Sequence, residues 1–339
     1  MGCFFMIKVS ILIPTFNRAE LLKKAIKSVL SQDYENLEVI VSDNASTDNT
    51  YEIVSEFFDD NRFKYYKNEM DIGLVNNLKK LVLDYMTGEY FILLGDDDYL
   101  IKDDYISKVV NIFENNDNVL IVYSYYYEYF EDINKKHKII FPFKEIEFGK
   151  TVFMNYQKVR NPAMCNTVFN REFAIKTNPF SNEFNSAFDM IMVLKLCLCG
   201  DVGIIKDFSS VETQHGKNLS SNFFKNYNYL IGAVDHVIEP YKWALKYNKL
   251  SNDEIEEWEN RVIFKMFLYT MARTLFFFPE KYQDTLDYLS DKNNKVFQIL
   301  LNNKIYKFMI FSYKIHLFRT FFIIITHMFQ FNFKYKILV

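Results

Sequence analysis

Tyr90-Phe-Ile-Leu-Leu-Gly95 runs straight into three aspartates, Asp96-Asp97-Asp98. An apolar run without alternation, bounded by turn chemistry, describes a strand buried on both faces, the kind found in parallel sheets covered by helices. Carboxylates are rarely buried unless they are paired or bind a metal. Three of them at the exit of a core strand therefore want a cation. In an open α/β sheet, ligands bind beyond the carboxyl ends of the strands, where this triplet would lie. Hard oxygen ligands suit Mg²⁺ or Mn²⁺, ions usually shared with substrate phosphates. The plainer alternative is a solvated acidic turn in which Asp98 caps the helix that follows.

The preceding residues keep one rhythm. Lys8 to Pro14 reads as a strand ended by Pro14, and Ala19 to Gln32 as a helix with apolar Leu21, Leu22, Ala25, Ile26, Val29 and Leu30. Leu37 to Val41 is a second strand, Asn49 to Phe58 a helix, Phe63 to Tyr66 a short strand and Leu74 to Met86 a helix. Beyond the triplet come a helix from Lys102 to Glu114 and a strand from Val119 to Tyr127. Such alternation predicts a doubly wound α/β sheet with right-handed crossovers. Asp132 to Lys138 reads as a hairpin turn returning through Ile139 to Pro142, and Thr151 to Val211 mixes helix and strand signals. From Phe223 onward the pattern is helical.

With 339 residues, 50% of them hydrophobic, the chain can build one large domain and an appendage, or two domains. A net charge of −3 gives no electrostatic case for nucleic acid. Cys3, Cys165, Cys197 and Cys199 lack metal-finger spacing and read as free thiols of a reducing compartment. Met1 to Phe5, ahead of an alternative start at Met6, lacks the basic segment of a secretory leader. No stretch reaches the roughly 18 uncharged apolar residues of a spanning helix. Asp291 is the last acidic residue, and Lys292, Lys295, Lys304, Lys307, Lys314, Arg319, Lys334 and Lys336 follow among many Phe, Ile and Tyr. That pattern predicts a basic amphipathic surface over 292–339 resting on anionic lipid. The alternative is a helical subdomain whose aromatics form an ordinary core.

Three loops follow strand ends. Pro14, Thr15, Phe16, Asn17 and Arg18 offer a hydroxyl, an amide and a guanidinium to a nucleotide. Asp43, Asn44 and Ser46 open a polar cluster in which a carboxylate can meet a base N–H or a ribose hydroxyl; an Asx-turn or helix cap is the simpler reading of Asp43 or Ser46. With the acidic triplet these loops describe a nucleotide-diphosphate site. Neither Gly-x-Gly-x-x-Gly after the first strand nor Gly-x-x-x-x-Gly-Lys-Ser/Thr is present, which argues against dinucleotide and P-loop chemistry.

These segments resemble glycosyltransferase family 2, inverting enzymes of the GT-A fold. The matching pieces are Ile11 to Arg18, Ser28 to Gln32, Glu38 to Asp48, Gly73 with Asn77, and Phe91 to Asp98. The resemblance implies a doubly wound mixed GT-A sheet over residues 1–222, with a nucleotide-binding half at 7–130 and an acceptor half at 131–222, followed by a helical region at 223–339. It places Pro14, Thr15, Asn17, Arg18, Asp43, Asn44, Ser46, Gly73, Asn77 and Asp96 around a nucleotide-sugar donor, with uridine as the expected base. The family's metal motif usually reads Asp-x-Asp-Asp, and its first position falls on Gly95. Asp97 is then the expected ligand of Mg²⁺ or Mn²⁺, with Asp98 beside it or acting through water; a shift of one residue would give Asp96 that role. His215 matches an Arg-x-His-x-x-Ser/Asn segment that contacts metal or diphosphate, with Thr213 in place of Arg, and the alternative for it is a surface histidine. Lys217, Asn218 and Ser220 would meet the leaving group. Asp189, ahead of Met190 to Leu196, matches the second residue of the acidic pair that supplies the general base, with Phe188 replacing Glu; as a bare residue it reads as a helix cap.

The resemblance implies transfer of one sugar to a glycan or lipid-linked glycan at the cytoplasmic face of a bacterial plasma membrane, for capsule, lipopolysaccharide or a similar polysaccharide. The Gln-x-x-Arg-Trp motif of processive polymerases is missing, since Trp243 and Trp258 lie in other contexts. A sugar nucleotidyltransferase is the first rival reading, but it would be expected to carry a glycine-rich basic loop where Ile13-Pro14-Thr15-Phe16 stands. A catalytically lapsed glycan- or nucleotide-binding relative is the second, kept alive by Gly95 and Phe188 at motif positions.

Overall fold

The computed structural model describes residues 6–178, 180, 188–216 and 226–314. They divide into two compact units. The first holds residues 6–152, 161–178, 180 and 199–216, the second residues 153–160, 188–198 and 226–314. Residues 153–160 and 188–198 therefore cluster with the C-terminal helices and not with the sheet that flanks them in sequence.

The first unit is built on a mixed sheet. β1 (Val9–Thr15) pairs in parallel with β2 (Leu37–Asp43), and β2 pairs in parallel with β3 (Phe63–Lys67). On its other side β1 runs parallel to β4 (Tyr90–Leu93). All seven residues of β2 are buried, its polar Glu38, Ser42 and Asp43 included, as expected of a strand covered on both faces. Helices α1 (Ala19–Leu30), α2 (Thr50–Ser55) and α3 (Leu74–Lys80) make the crossovers. The triplet is followed by a two-residue strand, β5 (Tyr99–Leu100), and then by α4 (Tyr105–Asn115).

Beyond β4 the sheet mixes directions. β6 (Val119–Phe130) carries an antiparallel partner, β7 (Lys135–Ile139). After β8 (Ile146–Glu147) and the short helix α5 (Gly149–Met154), β9 (Thr167–Asn170) inserts antiparallel between β4 and β6. α6 (Arg171–Lys176) leads away from β9. The last strand, β10 (Asp201–Gln214), runs parallel to β6 and antiparallel to β5 and β8. The order is β3-β2-β1-β4-β9-β6-β10-β5.

Three local expectations are corrected. The hairpin turn spans Glu131 to Asn134, not Asp132 to Lys138, because Asn134 adopts φ 46° and closes it early. Lys135, Lys136 and Lys138 then sit exposed on β7. The helix after the triplet starts at Tyr105, so Asp98 caps nothing there. β5 fills the gap, and its pairing with β10 ties the acidic loop to the far side of the sheet.

The second unit is helical among its described residues. α7 (Phe188–Cys197) is buried from Ile191 onward and packs on α8 (Tyr227–Lys246). α9 (Asn252–Trp258) opens on a capping box from Ser251 and Glu254 and continues through one wide turn into α10 (Phe264–Phe277). α11 (Tyr282–Lys292), α12 (Asn294–Asn302) and α13 (Lys304–Lys314) follow. Trp258, Phe267 and Met271 are fully buried, and Phe153 stacks on Trp258 with centroids 3.9 Å apart. Much of the aromatic content here is thus core. Two lysines of the basic stretch serve within the unit: Lys292 pairs with Asp235 at 3.0 Å, and Lys295 pairs with Glu259.

Candidate active site

The parallel strands end in loops that knit to one another before any ligand is considered. The Asn44 N–H donates to the Thr15 carbonyl at 2.9 Å. Asn17, in the left-handed region at φ 54°, donates its N–H to Ser46 Oγ at 2.9 Å and accepts from the Thr47 N–H at 2.8 Å. Asp48 receives the N–H groups of Ala19 and Thr50, so it anchors the starts of both α1 and α2. Pro14 does not end β1 as expected: it stands opposite Ser42, and the strand runs on to pair Thr15 with Asp43.

Asp43 is fully buried. Its Oδ1 accepts from the Ser46 N–H at 2.8 Å, an Asx-turn, and its Oδ2 accepts from the Tyr65 hydroxyl at 2.6 Å. Lys67 Nζ stands 3.7 Å from the same Oδ2 and donates to the Ser46 carbonyl. Tyr65 and Lys67 are site residues that sequence reasoning missed. The signal lay in register, since β3 sets Lys67 beside Asp43 and Tyr65 beside Val41.

Asn44 reaches the other way. Its side chain donates to Asp71 and accepts from the Ile72 N–H, and Asp71 also holds the Gly73 N–H. Gly73 opens α3 at φ 77°, a conformation that favours glycine. Asn77, only 1% exposed, spends its amide inside the fold: it donates to the Ser42 carbonyl and accepts from Ser42 Oγ and Asn68. Gly73 and Asn77 therefore set the loop that frames the strand ends.

The acidic triplet completes the group. Asp96 is 5% exposed and accepts from Thr15 Oγ1 at 2.8 Å and Arg18 Nη1 at 3.0 Å. Burial pushes its carboxyl up to about 6, with the charge of Asp97 adding and the pull of Arg18 and Thr15 opposing. The same Arg18 Nη1 lies 3.0 Å from Asp97 Oδ2, and His215 Nε2 lies 3.2 Å from that oxygen. Asp98 Oδ1 accepts from the Thr213 N–H at 2.8 Å. The β5–β10 pairing explains the meeting: Tyr99 stands opposite Val211, so the residues before Tyr99 run alongside Thr213 and His215. Gly95 leaves the necessary room, because a Cβ there would sit 2.8 Å from Asp97 Oδ1 and 3.1 Å from Asp98 Oδ2.

One carboxylate oxygen and one imidazole nitrogen thus converge at Asp97 and His215. Among the described residues no three His, Cys, Asp or Glu side chains gather as a ready cation cage. The pair still fits Mg²⁺ or Mn²⁺, which are commonly held by one or two protein groups, with substrate phosphate and water completing the shell.

Asp189 belongs to the second unit, in the first turn of α7, and its Oδ1 accepts from the Met190 N–H at 2.7 Å. Burial pushes the Tyr156 hydroxyl up, and the charge of Asp189 adds to that effect. Lys217, Asn218 and Ser220 lie outside the described residues.

A mixed sheet with nucleotide-type loops and an acidic cluster at its strand ends defines the GT-A class of fold. Residues 10–177 match the model of Glycosyl transferase family 2, and through them the chain belongs to that family. One relative is the GalNAc(5)-diNAcBac-PP-undecaprenol beta-1,3-glucosyltransferase of Campylobacter jejuni, 45% identical over 96 residues, which are 28% of this chain and 31% of that protein. Another is the UDP-Glc:alpha-D-GlcNAc-diphosphoundecaprenol beta-1,3-glucosyltransferase WfaP of Escherichia coli, 27% identical over 222 residues, which are 64% of this chain and 81% of that one. For the Campylobacter protein and several other relatives the aligned stretch spans about a third of their length. Among solved structures, the mannosyltransferase PcManGT of Pyrobaculum calidifontis, in complex with GDP-Man and Mn²⁺, aligns with a TM-score of 0.53, covering 98% of this chain and 89% of that one. At 14% identity, that likeness is one of fold.

Proposed function

We propose that this chain moves a single sugar from a UDP-sugar to a hydroxyl of a lipid-linked glycan, with inversion, during assembly of a bacterial surface polysaccharide. The observation that carries the reading is the convergence of Asp97, His215, Arg18 and Asp96 beside the Asp43 loop, at the carboxyl ends of parallel strands. The names of the Campylobacter and Escherichia relatives support the donor and acceptor class, since both are glucosyltransferases named for undecaprenol-linked glycans and one is named for UDP-Glc.

In this reading the Asp43 loop and Lys67 hold the nucleoside, and Asp97 with His215 would hold Mg²⁺ or Mn²⁺. The ion, when bound, supplies Lewis acidity toward the departing diphosphate. Lys217, Asn218 and Ser220 assist at the leaving group. Asp189 takes the proton of the acceptor hydroxyl as that oxygen bonds to the anomeric carbon. The bond from that carbon to the diphosphate oxygen breaks on the opposite face, and UDP leaves with the electron pair.

Acceptors of this kind lie at the cytoplasmic membrane face, and α13 supports peripheral contact there. Lys304, Lys307, Phe308 and Phe311 share an exposed face, with Phe308 and Phe311 52% and 56% exposed, while Tyr306 and Met309 are buried behind them. Among the described residues no helix is long and apolar enough to cross a membrane.

The test is a panel of nucleotide sugars with Mn²⁺, read as free nucleotide diphosphate released. UDP release by the wild-type chain and its loss in Asp97→Ala are expected. A wild-type chain that releases nothing and does not bind UDP would refute the reading.

A further inference from the structure

Arg18 bridges two carboxylates of the acidic loop. One nitrogen, Nη1, lies 3.0 Å from Asp96 Oδ1 and 3.0 Å from Asp97 Oδ2, the oxygen that also faces His215 Nε2 at 3.2 Å. Arg18 and a divalent ion cannot both sit against that one carboxylate oxygen, because like charges at that spacing repel. Of Arg18, Asp96 and Asp97, Arg18 is the most exposed. It is the residue just ahead of α1, and its side chain is 25% exposed against 7% for Asp96 and 12% for Asp97. Asp96 keeps the Thr15 hydroxyl whatever Arg18 does. The guanidinium can therefore turn toward solvent without stripping the buried carboxylate of every donor.

We propose that Arg18 is an exchangeable internal cation: it neutralises Asp96 and Asp97 until a divalent ion arrives, then leaves Asp97 and turns its planar donors onto the donor diphosphate. The proposal rests on the reading of Asp97 and His215 as the metal-holding pair. A guanidinium presents paired N–H donors that match phosphate oxygens, so the released side chain has a destination of suitable chemistry. The consequence is coupling. The ion displaces Arg18 and so favours the nucleotide, and by linkage the nucleotide favours the ion. Without both, the triplet stays closed by an internal ion pair, which disfavours stray metal at an open acidic loop. Arg18 is in this sense a positioning residue that acts on when the metal site is available.

The experiment titrates Mn²⁺ alone into the full-length chain, with no nucleotide, and follows free Mn²⁺ by electron paramagnetic resonance. Arg18→Ala removes the competitor and should bind Mn²⁺ at least about fivefold more tightly than wild type, the low end of typical coupling between sites. Arg18→Lys keeps a charge and should stay near wild type. In a second titration, saturating Mn²⁺ should strengthen UDP binding more in wild type than in Arg18→Ala. Equal or weaker Mn²⁺ binding by a folded Arg18→Ala overturns the proposal and leaves the metal assignment standing. Failure of wild type and both variants to bind Mn²⁺ overturns the metal assignment itself, and this proposal with it. Should Arg18→Ala not fold, ¹⁵N-arginine-labelled wild type decides: the Arg18 Nε–H resonance, assigned by its loss in Arg18→Lys, must move when Mg²⁺ is added, and a resonance that stays put overturns the exchange.

Discussion

The end of the sheet opposite the site is held by a single buried carboxylate, and replacing it should cost stability while leaving chemistry intact. Glu38 is 2% exposed. It accepts from Ser10 Oγ at 2.6 Å, Lys64 Nζ at 2.7 Å and the Thr87 N–H at 2.7 Å, with Lys8 Nζ 3.2 Å away. Burial alone would raise its pKa, but Lys64, Ser10 and Thr87 more than offset that and hold it at about 2, against 4.5 for an ordinary glutamate. By linkage, the gap between about 2 and 4.5 corresponds to roughly 3 kcal/mol of stability near neutral pH. Lys64 and Lys8 are partly exposed, which trims the expected cost of Glu38→Gln to about 2–3 kcal/mol, or roughly 5–10 °C in melting temperature. The sign follows from a depressed pKa: the stabilisation is complete above about 4.5 and disappears as pH falls through about 2. The melting gap between wild type and Glu38→Gln should therefore be full at pH 7 and less than about half as large at pH 3. UDP-sugar turnover per folded molecule at low temperature should match wild type, because Glu38 ties β2 to the Thr87–Gly88 turn that feeds β4 from below. A gap of the same size at pH 3 and pH 7 would refute the electrostatic account. A loss of turnover in folded protein would refute the separation of scaffold from site.

Gly95→Ala should lower turnover about 10–100-fold with little change in melting temperature, since the new Cβ meets the movable ends of Asp97 and Asp98 and not packed backbone; paired turnover and melting measurements check this. Asp189→Asn should lower kcat by about 10²–10⁴ while UDP affinity, read by calorimetry, stays at the wild-type value; weakened UDP binding would instead assign Asp189 to the donor. Vesicles with anionic lipid should co-sediment with the full chain and less with Phe308→Ser/Phe311→Ser, with the effect weakening as salt rises. Equal sedimentation of the two proteins would remove α13 from the membrane reading.

The parallel half of the sheet was legible because β1, β2 and β4 are largely buried and so carry short apolar runs, Ile11 to Ile13, Val39 to Val41 and Phe91 to Leu93. The loops at their ends were legible for a related reason: polar residues that follow such runs have few reasons to be there besides caps, turns and ligands. What the residues could not announce is pairing. β5 is two residues long and owes its existence to β10, more than 100 positions away, so no local period marks it. That pairing alone brings His215 to Asp97 and the Thr213 N–H to Asp98, and it removes the helix cap as an explanation of Asp98. Tyr65 and Lys67 escaped notice for the same reason, since β3 gains its meaning only through its register with β2. The simpler readings were also partly right, which matters for mechanism. Asp43 does make an Asx-turn, with Oδ2 bonded to Tyr65, whereas the bond that Asp189 accepts from the N–H of the next residue is not a helix cap. A side chain committed to a turn is not thereby removed from chemistry. Bonds of that kind fix a carboxylate in place before substrate arrives, so that less ordering remains to be done on binding. The bland reading and the functional one are therefore not rivals at Asp43: the turn is the means by which this strand end holds its carboxylate still.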